Sequence, residues 1–317
     1  MGLRLRDRWI WDSWYVWDGD TCHAFYLCAS RGLYDPIRRH RNTNIGHAVS
    51  KDLIHWEILP DALSPSESPA FDSWTTWTGS VVRGDDGKWW MYYTGTSRED
   101  EGLVQRIGAA VSDDLMSWTK LGPTALVSAD SRFYEVLADQ SWDSEAWRDP
   151  WVFKMQNDSR WHMLVTARSK SGLPSERGVM GHAVSEDMKS WEVLEALSEP
   201  GQGFGHLEVF QYEVVDGIPI IVFCCGWREL SSKRLKQVGQ VDLTYSVACD
   251  DSLSKVDFRR AKPFIEPNVY AGRLVQGPDG RWNLIGFINE VSGHFVGELS
   301  DPIPVTATVG EGLIVRH

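Results

Sequence analysis

Three carboxylates stand at corresponding points of three predicted β-strands. Asp12, Asp149 and Glu208 each open a run of alternating apolar and polar residues that leads to a hairpin turn. Two carboxyl groups, one ionised and one protonated, can cleave a glycosidic bond when they flank it. When such carboxyl groups converge, their mutual repulsion and the loss of their hydrating water raise the pKa of at least one of them. Whether the three meet depends on the elements that carry them.

One sequence pattern recurs along the chain. The segment IGHAVSKDLIHWE from Ile45 returns as IGAAVSDDLMSWTK from Ile107 and MGHAVSEDMKSWEV from Met180, with a weaker copy, YSVACDDSLSKVDF, from Tyr245. Each copy follows two alternating runs joined by a turn, which indicates a four-stranded antiparallel unit. Two further runs, the first from Val269, begin a fifth unit. Internal repeats of this length are typical of solenoids, propellers and arrays.

The repeat predicts an all-β fold, a five-bladed β-propeller with four-stranded antiparallel blades. Five sheets arranged radially close on themselves and leave only short edges, whereas a solenoid would need capping ends. We expect little helix, with Phe133–Leu137 as the one candidate. The tryptophans of the repeat, Trp56, Trp118 and Trp191, are expected to pack between blades.

The first strand of each propeller blade lines the central channel, so five short windows hold the candidate site. These windows contain Asp12, Thr78-Gly79-Ser80, Arg148-Asp149-Pro150, Glu208 and Tyr270. Taken singly, each carboxylate could be a turn, cap or ion-pair residue. Their shared place in the repeat favours a site at one end of the channel instead. Two strings that resemble Trp11-Asp12-Ser13-Trp14, one around Asp72 and one around Asp143, are expected in loops above the channel mouth.

The neighbours of two carboxylates suggest different protonation states. Glu208 stands beside Leu207, Val209 and Phe210, which predicts a high pKa and the role of an acid. Asp12 is followed by Ser13, a hydroxyl donor, which favours an ionised carboxylate. Six further residues are predicted to bind substrate, with core packing as the alternative for each of the tryptophans: Arg148, Trp11, Trp14, Trp77, Ser80 and Tyr270.

These motifs resemble the β-fructosidase superfamily, glycoside hydrolase families 32 and 68. The resemblance rests on Trp-Asp-Ser-Trp at 11–14, Thr-Gly-Ser at 78–80, Arg-Asp-Pro at 148–150, Glu208 at a strand start and Val-Tyr-Ala at 269–271. It implies a catalytic propeller that acts on β-fructofuranosides with retention. Asp12 would be the nucleophile, Glu208 the acid/base and Asp149 a ligand of fructose hydroxyls. Family 32 enzymes normally add a C-terminal β-sandwich, for which 317 residues leave no room, so we expect a single domain over 1–317.

The leading functional hypothesis is a retaining glycosidase acting on sucrose or fructo-oligosaccharides, with fructosyl transfer as a variant. One alternative is a related propeller with other furanoside or mannoside chemistry, either an inverting arabinosidase or a glycoside phosphorylase. Another is a non-catalytic sugar-binding propeller, which three carboxylates disfavour. The basic stretch from Tyr34 to Arg41 is either a solvated loop or an anion site that would favour a phosphorylated sugar.

Composition disfavours two classes of partner, and the resemblance implies a small-molecule carbohydrate as the expected one. The chain has 32 Lys and Arg against 44 Asp and Glu, a formal charge of −12, which disfavours nucleic acid and acidic membranes. No apolar run is long enough to span a membrane, so we expect a cytoplasmic protein or one whose leader was removed. The five cysteines are an odd number and form no CxxC pair, which argues against a disulfide framework or a zinc site and predicts buried thiols. We expect no metal and no cofactor. Composition does not indicate an oligomeric state.

Overall fold

The computed structural model describes residues 2–155, 157–253, 255–264 and 268–316, whose strands form five antiparallel sheets, each from one contiguous stretch of chain. The first two sheets contain β1 Arg8–Asp18, β2 Thr21–Ser30, β3 Asn44–Ser50, β4 Glu57–Leu63, and β5 Thr75–Arg83, β6 Trp89–Thr96, β7 Gln105–Ser112, β8 Thr119–Lys120. The next two contain β9 Trp147–Lys154, β10 Trp161–Arg168, β11 Gly178–Ser185, β12 Glu192–Leu194, and β13 Glu208–Val215, β14 Ile218–Cys225, β15 Leu243–Ala248, β16 Lys262–Phe264. The fifth contains β17 Val269–Gln276, β18 Trp282–Val291, β19 His294–Leu299, β20 Ile303–Thr308 and β21 Gly312–Val315.

The five sheets are the blades of a closed propeller, numbered I to V in chain order. Their first strands contact one another in the cyclic order β1, β5, β9, β13, β17 and back to β1. Blade V meets blade I through the N-terminal segment, where the Leu299 N–H donates to the Leu3 carbonyl over 3.0 Å. The predicted five-bladed, all-β fold is therefore confirmed, with one extra strand, β19, in blade V.

The recurring Ser-x-Asp-x-x-x-Trp pattern builds the turn between the third and fourth strands of a blade. In blade I the Ser50 hydroxyl accepts the N–H of Leu53 over 2.9 Å, while Asp52 Oδ1 accepts two later N–H groups. Leu53 takes a left-handed φ of 64°, and its carbonyl accepts the Trp56 indole N–H over 3.1 Å. The turns at Leu115 and Met188 repeat this left-handed residue and its indole bond. The repeat is therefore a local hydrogen-bonding unit.

The glycine at the second position of the recurring segment, Gly46 or Gly108, is required by close packing. A Cβ on Gly46 would come within 2.3 Å of the Tyr26 ring, and one on Gly108 within 2.2 Å of Phe71. Any larger residue would push these rings out of a fully packed interior. This constraint keeps a glycine at the start of the third strand.

The tryptophans of the repeat pack as expected in two blades. Trp118 meets Phe25 of blade I edge-on at 5.6 Å, and Trp191 meets Tyr92 of blade II at 5.5 Å. The ring contact of Trp56 is instead with Tyr15 of its own blade, at 6.2 Å. Inter-blade packing is therefore confirmed for two of these three indoles.

The expectation of little helix is confirmed, but the one candidate segment was wrong. Residues 133–136 form a turn, an isolated bridge between Tyr134 and Ser169, and irregular chain, and Leu137 begins a short 3₁₀ turn. The described α-helix is α1, Ser232–Val238, begun by Ser231, whose hydroxyl accepts the Arg234 N–H. Short 3₁₀ turns occupy Arg31–Leu33, Pro36–Arg41, Leu137–Asp139, Pro174–Glu176, Trp227–Glu229 and Phe258–Arg260.

The cysteines are free thiols, as predicted. Four are buried, and Cys249 is half-buried. Within the described residues, no helix combines the length and the apolar character that crossing a membrane requires.

Candidate active site

Every innermost strand carries a β-bulge at the same end of the channel. The pairing register shifts after Trp11, Trp77, Arg148, Glu208 and Tyr270. A bulge bends its strand and re-aims the side chains beside it, and such irregularities occur frequently at functional sites. The five bulges therefore direct one short segment of each blade toward the channel.

The bulges also correct the predicted alignment of the carboxylates. In blades III, IV and V the left-handed residue of the bulge is Asp149, Val209 or Ala271, with φ of 60°, 57° and 48°. Arg148, Glu208 and Tyr270 therefore occupy equivalent positions, one residue before it. Glu208 therefore does not correspond to Asp149 in the repeat. It lies one position earlier along its strand, at the position that Arg148 occupies in blade III, and its side chain still reaches the site.

Asp12, Asp149 and Glu208 all line one cavity at this end of the propeller. Its volume is 460 Å³, and its wall also contains four of the residues predicted to bind substrate: Arg148, Trp11, Trp77 and Tyr270. The predicted convergence of the three carboxylates is therefore what the structure shows. What each of them does to a substrate stays a prediction.

Asp12 is held by the neighbouring blade. Its Oδ2 accepts a hydrogen bond from the Thr78 hydroxyl. Burial raises the pKa of the Asp12 carboxyl, and the charge of Glu208 adds to this, whereas the Thr78 hydroxyl opposes it. The expectation that Ser13 would favour the ionised form was wrong, because the Ser13 hydroxyl pairs with the Tyr15 hydroxyl at 2.7 Å.

Glu208 is held by two polar side chains. Nη2 of Arg148 lies 2.5 Å from Oε1, and the Tyr270 hydroxyl donates to Oε2 over 2.8 Å. Of the three predicted apolar neighbours, Val209 lines the cavity with Glu208, whereas Leu207 and Phe210 pack into the hydrophobic core. Charge-assisted bonds therefore fix both oxygens of this carboxylate.

Asp149 is the most deeply enclosed of the three, with 4% of its surface exposed. Its Oδ2 accepts the Thr166 hydroxyl over 2.8 Å and lies 3.4 Å from Nε of Arg148, while its N–H donates to the Thr94 hydroxyl. Burial raises the pKa of Asp149 to about 7, although the guanidinium opposes the shift. Arg148 thus bridges Asp149 and Glu208.

Arg273 lies on the hairpin side of these carboxylates and crosses the channel. Its guanidinium donates to the carbonyls of Phe210 and, over 3.5 Å, Gly79, and lies 5.0 Å from the centre of the Trp151 ring. These partners belong to blades IV, II and III. Burial lowers the pKa of Arg273 to about 10, while the fields of the two site aspartates oppose the shift. The sequence offered no sign of this role, because a single arginine in a strand is unremarkable.

A second group of titratable residues borders Glu208. Ligand atoms of His206, Glu208 and Glu229 lie within 4.8 Å of one another, a spacing that could hold a metal ion. However, the Arg148 guanidinium lies 2.7 Å from His206 Nδ1 and already supplies positive charge there. Burial raises the pKa of Glu229 to about 8, with Glu208 adding to the shift, and burial holds the pKa of His206 well below its ordinary range. The set suits a protonated Glu229 beside a neutral imidazole better than a cation.

Two residues predicted to bind substrate lie away from the cavity. Trp14 is fully buried and stacks on Phe25 at 6.4 Å, because its side chain points into blade I. Ser80 is also fully buried, and its hydroxyl accepts the Val152 N–H over 3.1 Å, which ties blade II to blade III. Both predictions were wrong because alternation along a strand places every second residue on the other face.

The two strings that resemble Trp11-Asp12-Ser13-Trp14 lie in different environments. Trp142, Asp143 and Ser144 line the cavity mouth, as predicted. Asp72 is fully buried, with Lys120 2.5 Å from its Oδ2 and the Tyr93 hydroxyl donating to the same oxygen. The string around Asp72 therefore forms a packing contact of blade II.

Several cavity residues were missed by sequence reasoning. His206 stands two residues before Glu208, so a wider window at that strand start would have found it. Glu229, Asp242 and Asn289 also line the cavity. Asp242 accepts the Asn289 side-chain amide over 2.9 Å. Glu229 and Asp242 lie on the link between β14 and β15, outside any strand, so no strand periodicity could indicate their direction.

Two curated relatives match part of the chain. An insoluble isoenzyme of beta-fructofuranosidase from Arabidopsis thaliana is 29% identical over 174 residues, 53% of this chain and 25% of the relative. Sucrose-6-phosphate hydrolase from Bacillus subtilis is 28% identical over 171 residues, 53% of this chain and 30% of the relative. The chain thus matches about a quarter to a third of the length of these relatives.

The fold is shared with a solved structure. A glycoside hydrolase family 32 beta-fructofuranosidase from Bombyx mori superposes with a TM-score of 0.76 at 19% identity, covering 99% of this chain and 64% of that one. The family model of the glycosyl hydrolases family 32 N-terminal domain matches residues 14–295, which include Asp149, Glu208 and Tyr270 and begin just after Asp12. The chain therefore belongs to glycosyl hydrolase family 32, one of the two families that its motifs resemble.

Proposed function

We propose that the protein is a retaining glycoside hydrolase that cleaves β-fructofuranosides such as sucrose or fructo-oligosaccharides. The observation that carries this proposal is the meeting of Asp12, Asp149 and Glu208 in the wall of one cavity. Family membership and the activities of the two curated relatives support it.

In the proposed reaction Asp12 attacks the anomeric carbon of the fructosyl unit while Glu208 donates a proton to the departing oxygen. Water, activated by the deprotonated Glu208, then hydrolyses the glycosyl ester on Asp12. The bulge places Asp12 beside Thr78, whose hydroxyl stabilises the ionised form that attack requires.

The cavity holds Glu208 ready for both steps. Arg148 and Tyr270 fix its two oxygens, so the carboxyl group is pre-positioned before substrate arrives. Glu229, with its raised pKa, is proposed to hold a proton beside Glu208. That proton limits the negative charge in the cluster when Glu208 is ionised.

Asp149 is proposed to bind two sugar hydroxyls. Its Oδ2 is already engaged by Thr166 and faces Arg148, which orients the carboxyl group for such contacts. Trp11 and Trp77 in the cavity wall offer flat apolar faces to the ring.

The proposal is tested by release of fructose from sucrose, inulin and levan in one panel, with an α-arabinofuranoside and a β-mannoside as comparison substrates. Fructose from at least one fructoside, with no release from the other two sugars, is the expected result. Cleavage of the arabinoside or of the mannoside alone would overturn the proposal. A product in which the fructosyl unit has been added to another sugar, in place of free fructose, would indicate transfer, which the covalent intermediate permits.

A further inference from the structure

Two arginines and no lysine line the cavity of the three carboxylates, counted over the described residues. The first of them, Arg148, has all three guanidinium nitrogens engaged by protein. Nη1 donates to the Gln105 side chain over 3.0 Å, Nη2 lies 2.5 Å from Glu208, and Nε lies 3.4 Å from Asp149. The second arginine, Arg39, is in a different state.

The guanidinium of Arg39 keeps unused donors although the residue is only 9% exposed. Nη1 donates to the Pro36 carbonyl over 2.8 Å, whereas Nε is buried and has no hydrogen-bond partner among the described residues. Asp12 and Asp35 act on this guanidinium only through their fields. Buried donors are normally satisfied, because an unmade hydrogen bond is costly. The free donors of Arg39 therefore point to a ligand in the cavity.

A short 3₁₀ turn delivers Arg39 to the cavity. The turn spans Pro36–Arg41 and begins after Asp35, whose carboxylate accepts an N–H of the turn over 3.0 Å. Beyond its end, the Thr43 hydroxyl donates to the Arg39 carbonyl over 2.8 Å. Arg38 of the same turn is exposed, so the basic stretch is not one uniform surface, and its binding of an anion stays a prediction.

The extra strand of blade V, β19, holds the side chain of Arg39 from the other side. The guanidinium carbon lies 3.9 Å from the centre of the Phe295 ring on β19 and 5.5 Å from that of Trp11. Arg31 ties the same strand to blade I, with Nη2 donating to the Val296 carbonyl over 3.0 Å. A planar guanidinium stacked on aromatic faces is already oriented, so it loses little freedom when it binds.

Arg39 stands on the Asp12 side of the cavity, as Arg148 stands on the Glu208 side. Trp11, over which Arg39 lies, directly precedes Asp12 in the chain. Burial lowers the pKa of Arg39 to about 10, and the charge of Asp12 opposes the shift. The two groups feel each other without a direct hydrogen bond, which leaves the guanidinium free for a substrate bound at Asp12.

We propose that Arg39 is a substrate-binding residue that donates a hydrogen bond to a hydroxyl of the fructosyl unit held at Asp12. A guanidinium only donates, so it selects an acceptor oxygen, and a charge-assisted bond is stronger than a neutral one. The identity of the sugar rests on the proposed function. The contact itself rests on an enclosed arginine with unused donors in the cavity wall.

Three variants separate this contact from a structural role. Arg39→Met keeps an apolar stem on Phe295 and removes every donor, whereas Arg39→Lys keeps the charge without the planar fork. Arg83→Met is the matched control, because Arg83 also lies over an indole, that of Trp89, but ends β5 at the hairpin, away from the cavity. We expect Arg39→Met to lower kcat/KM for sucrose about 10- to 100-fold, Arg39→Lys to recover part of the loss, and the control to stay within about twofold. Equal losses in Arg39→Met and Arg83→Met would overturn the proposal.

Deoxygenated substrates identify the hydroxyl. Sucrose analogues that lack the 1′-, 3′-, 4′- or 6′-hydroxyl of the fructosyl unit are compared on the wild type and on Arg39→Met. For an analogue without the contacted hydroxyl, the variant should lose no more than about twofold in kcat/KM, while the other analogues keep the full loss. A distorted site would lower the rates of all the analogues by the same factor, and that result would overturn the proposal.

Calorimetry with fructose gives a readout that does not require turnover. Arg39→Met should weaken fructose binding, and Arg83→Met should leave it unchanged. If the wild type cleaves no fructoside but binds fructose through Arg39, the proposed function fails and the contact stands. Fructose binding that Arg39→Met leaves unchanged would overturn the contact, as would a wild type that neither cleaves a fructoside nor binds fructose.

Discussion

Nη2 of Arg148 lies 2.5 Å from Oε1 of Glu208, and the two residues occupy the same position in adjacent blades. The repeat thus places an arginine against a glutamate where a symmetric propeller would place identical side chains. The site is built from differences among equivalent positions, so each difference can be tested by a single substitution.

Replacing Asp12 by Asn or Glu208 by Gln should lower kcat by about 10² to 10⁴ while leaving the melting temperature nearly unchanged. Each change removes a reacting group and little packing. Matched controls are Asp18→Asn at the exposed end of β1 and Glu57→Gln at the exposed start of β4. Turnover within tenfold of wild type for either site variant would refute the assigned roles.

Thr78→Val should shift the acid limb of kcat/KM to higher pH. The Thr78 hydroxyl stabilises ionised Asp12, so its loss raises further a pKa that burial has already raised. The proposed nucleophile is then protonated over a wider pH range, and activity is lost as pH falls. Thr78→Ser keeps the hydroxyl and should retain the wild-type profile. Identical profiles for the valine and serine variants would contradict this coupling.

Trp14→Ala should mainly lower the unfolding free energy, whereas Trp77→Ala should mainly raise KM. Trp14 is fully buried in blade I, so its loss should cost about 3–5 kcal/mol of unfolding free energy. Trp77 lines the cavity, so its loss should raise KM roughly two- to tenfold with a smaller change in stability. Urea denaturation and initial rates measure the two effects. A larger stability loss at Trp77 would assign that indole to the core.

Glu213→Gln should stabilise the protein above neutral pH. Burial raises the pKa of Glu213 to about 7 from its ordinary 4.5. Between these values the unfolded chain releases the proton first, so the unfolding free energy of the wild type falls as pH rises. Glutamine removes this dependence, with a relative gain on the order of 1 kcal/mol at pH 8. The exposed Glu57→Gln is the control, and parallel stability curves for wild type and Glu213→Gln would show the prediction to be incorrect.

Hydrolysis should proceed with retention at the anomeric carbon. Formation and hydrolysis of an ester on Asp12 are two inversions, so the first product keeps the β configuration. NMR of the fresh product before mutarotation measures this. An initial α-anomer would remove the nucleophile role from Asp12 and favour the inverting alternative.

The sequence predicted the blades well because the Ser-x-Asp-x-x-x-Trp turn is a local unit that repeats intact. It predicted the cavity position of Asp12 and Asp149 for the same reason. It failed at Trp14 and Ser80, because side chains alternate between the two faces of a strand and the bulge in each of these strands shifts that alternation. It also failed for Glu229 and Asp242, because the link that carries them has no strand period that would predict their orientation.

The position of Arg273 has a consequence for polymeric substrates. Its guanidinium spans the channel between blades II, III and IV, on the hairpin side of Asp12 and Asp149. A fructan chain that reached Asp12 from the mouth would meet this guanidinium farther along the channel and could not thread through it. If the protein has the proposed function, it would therefore release fructose units from chain ends, one at each binding event. The free fructose would have to leave through the same opening by which the next chain enters.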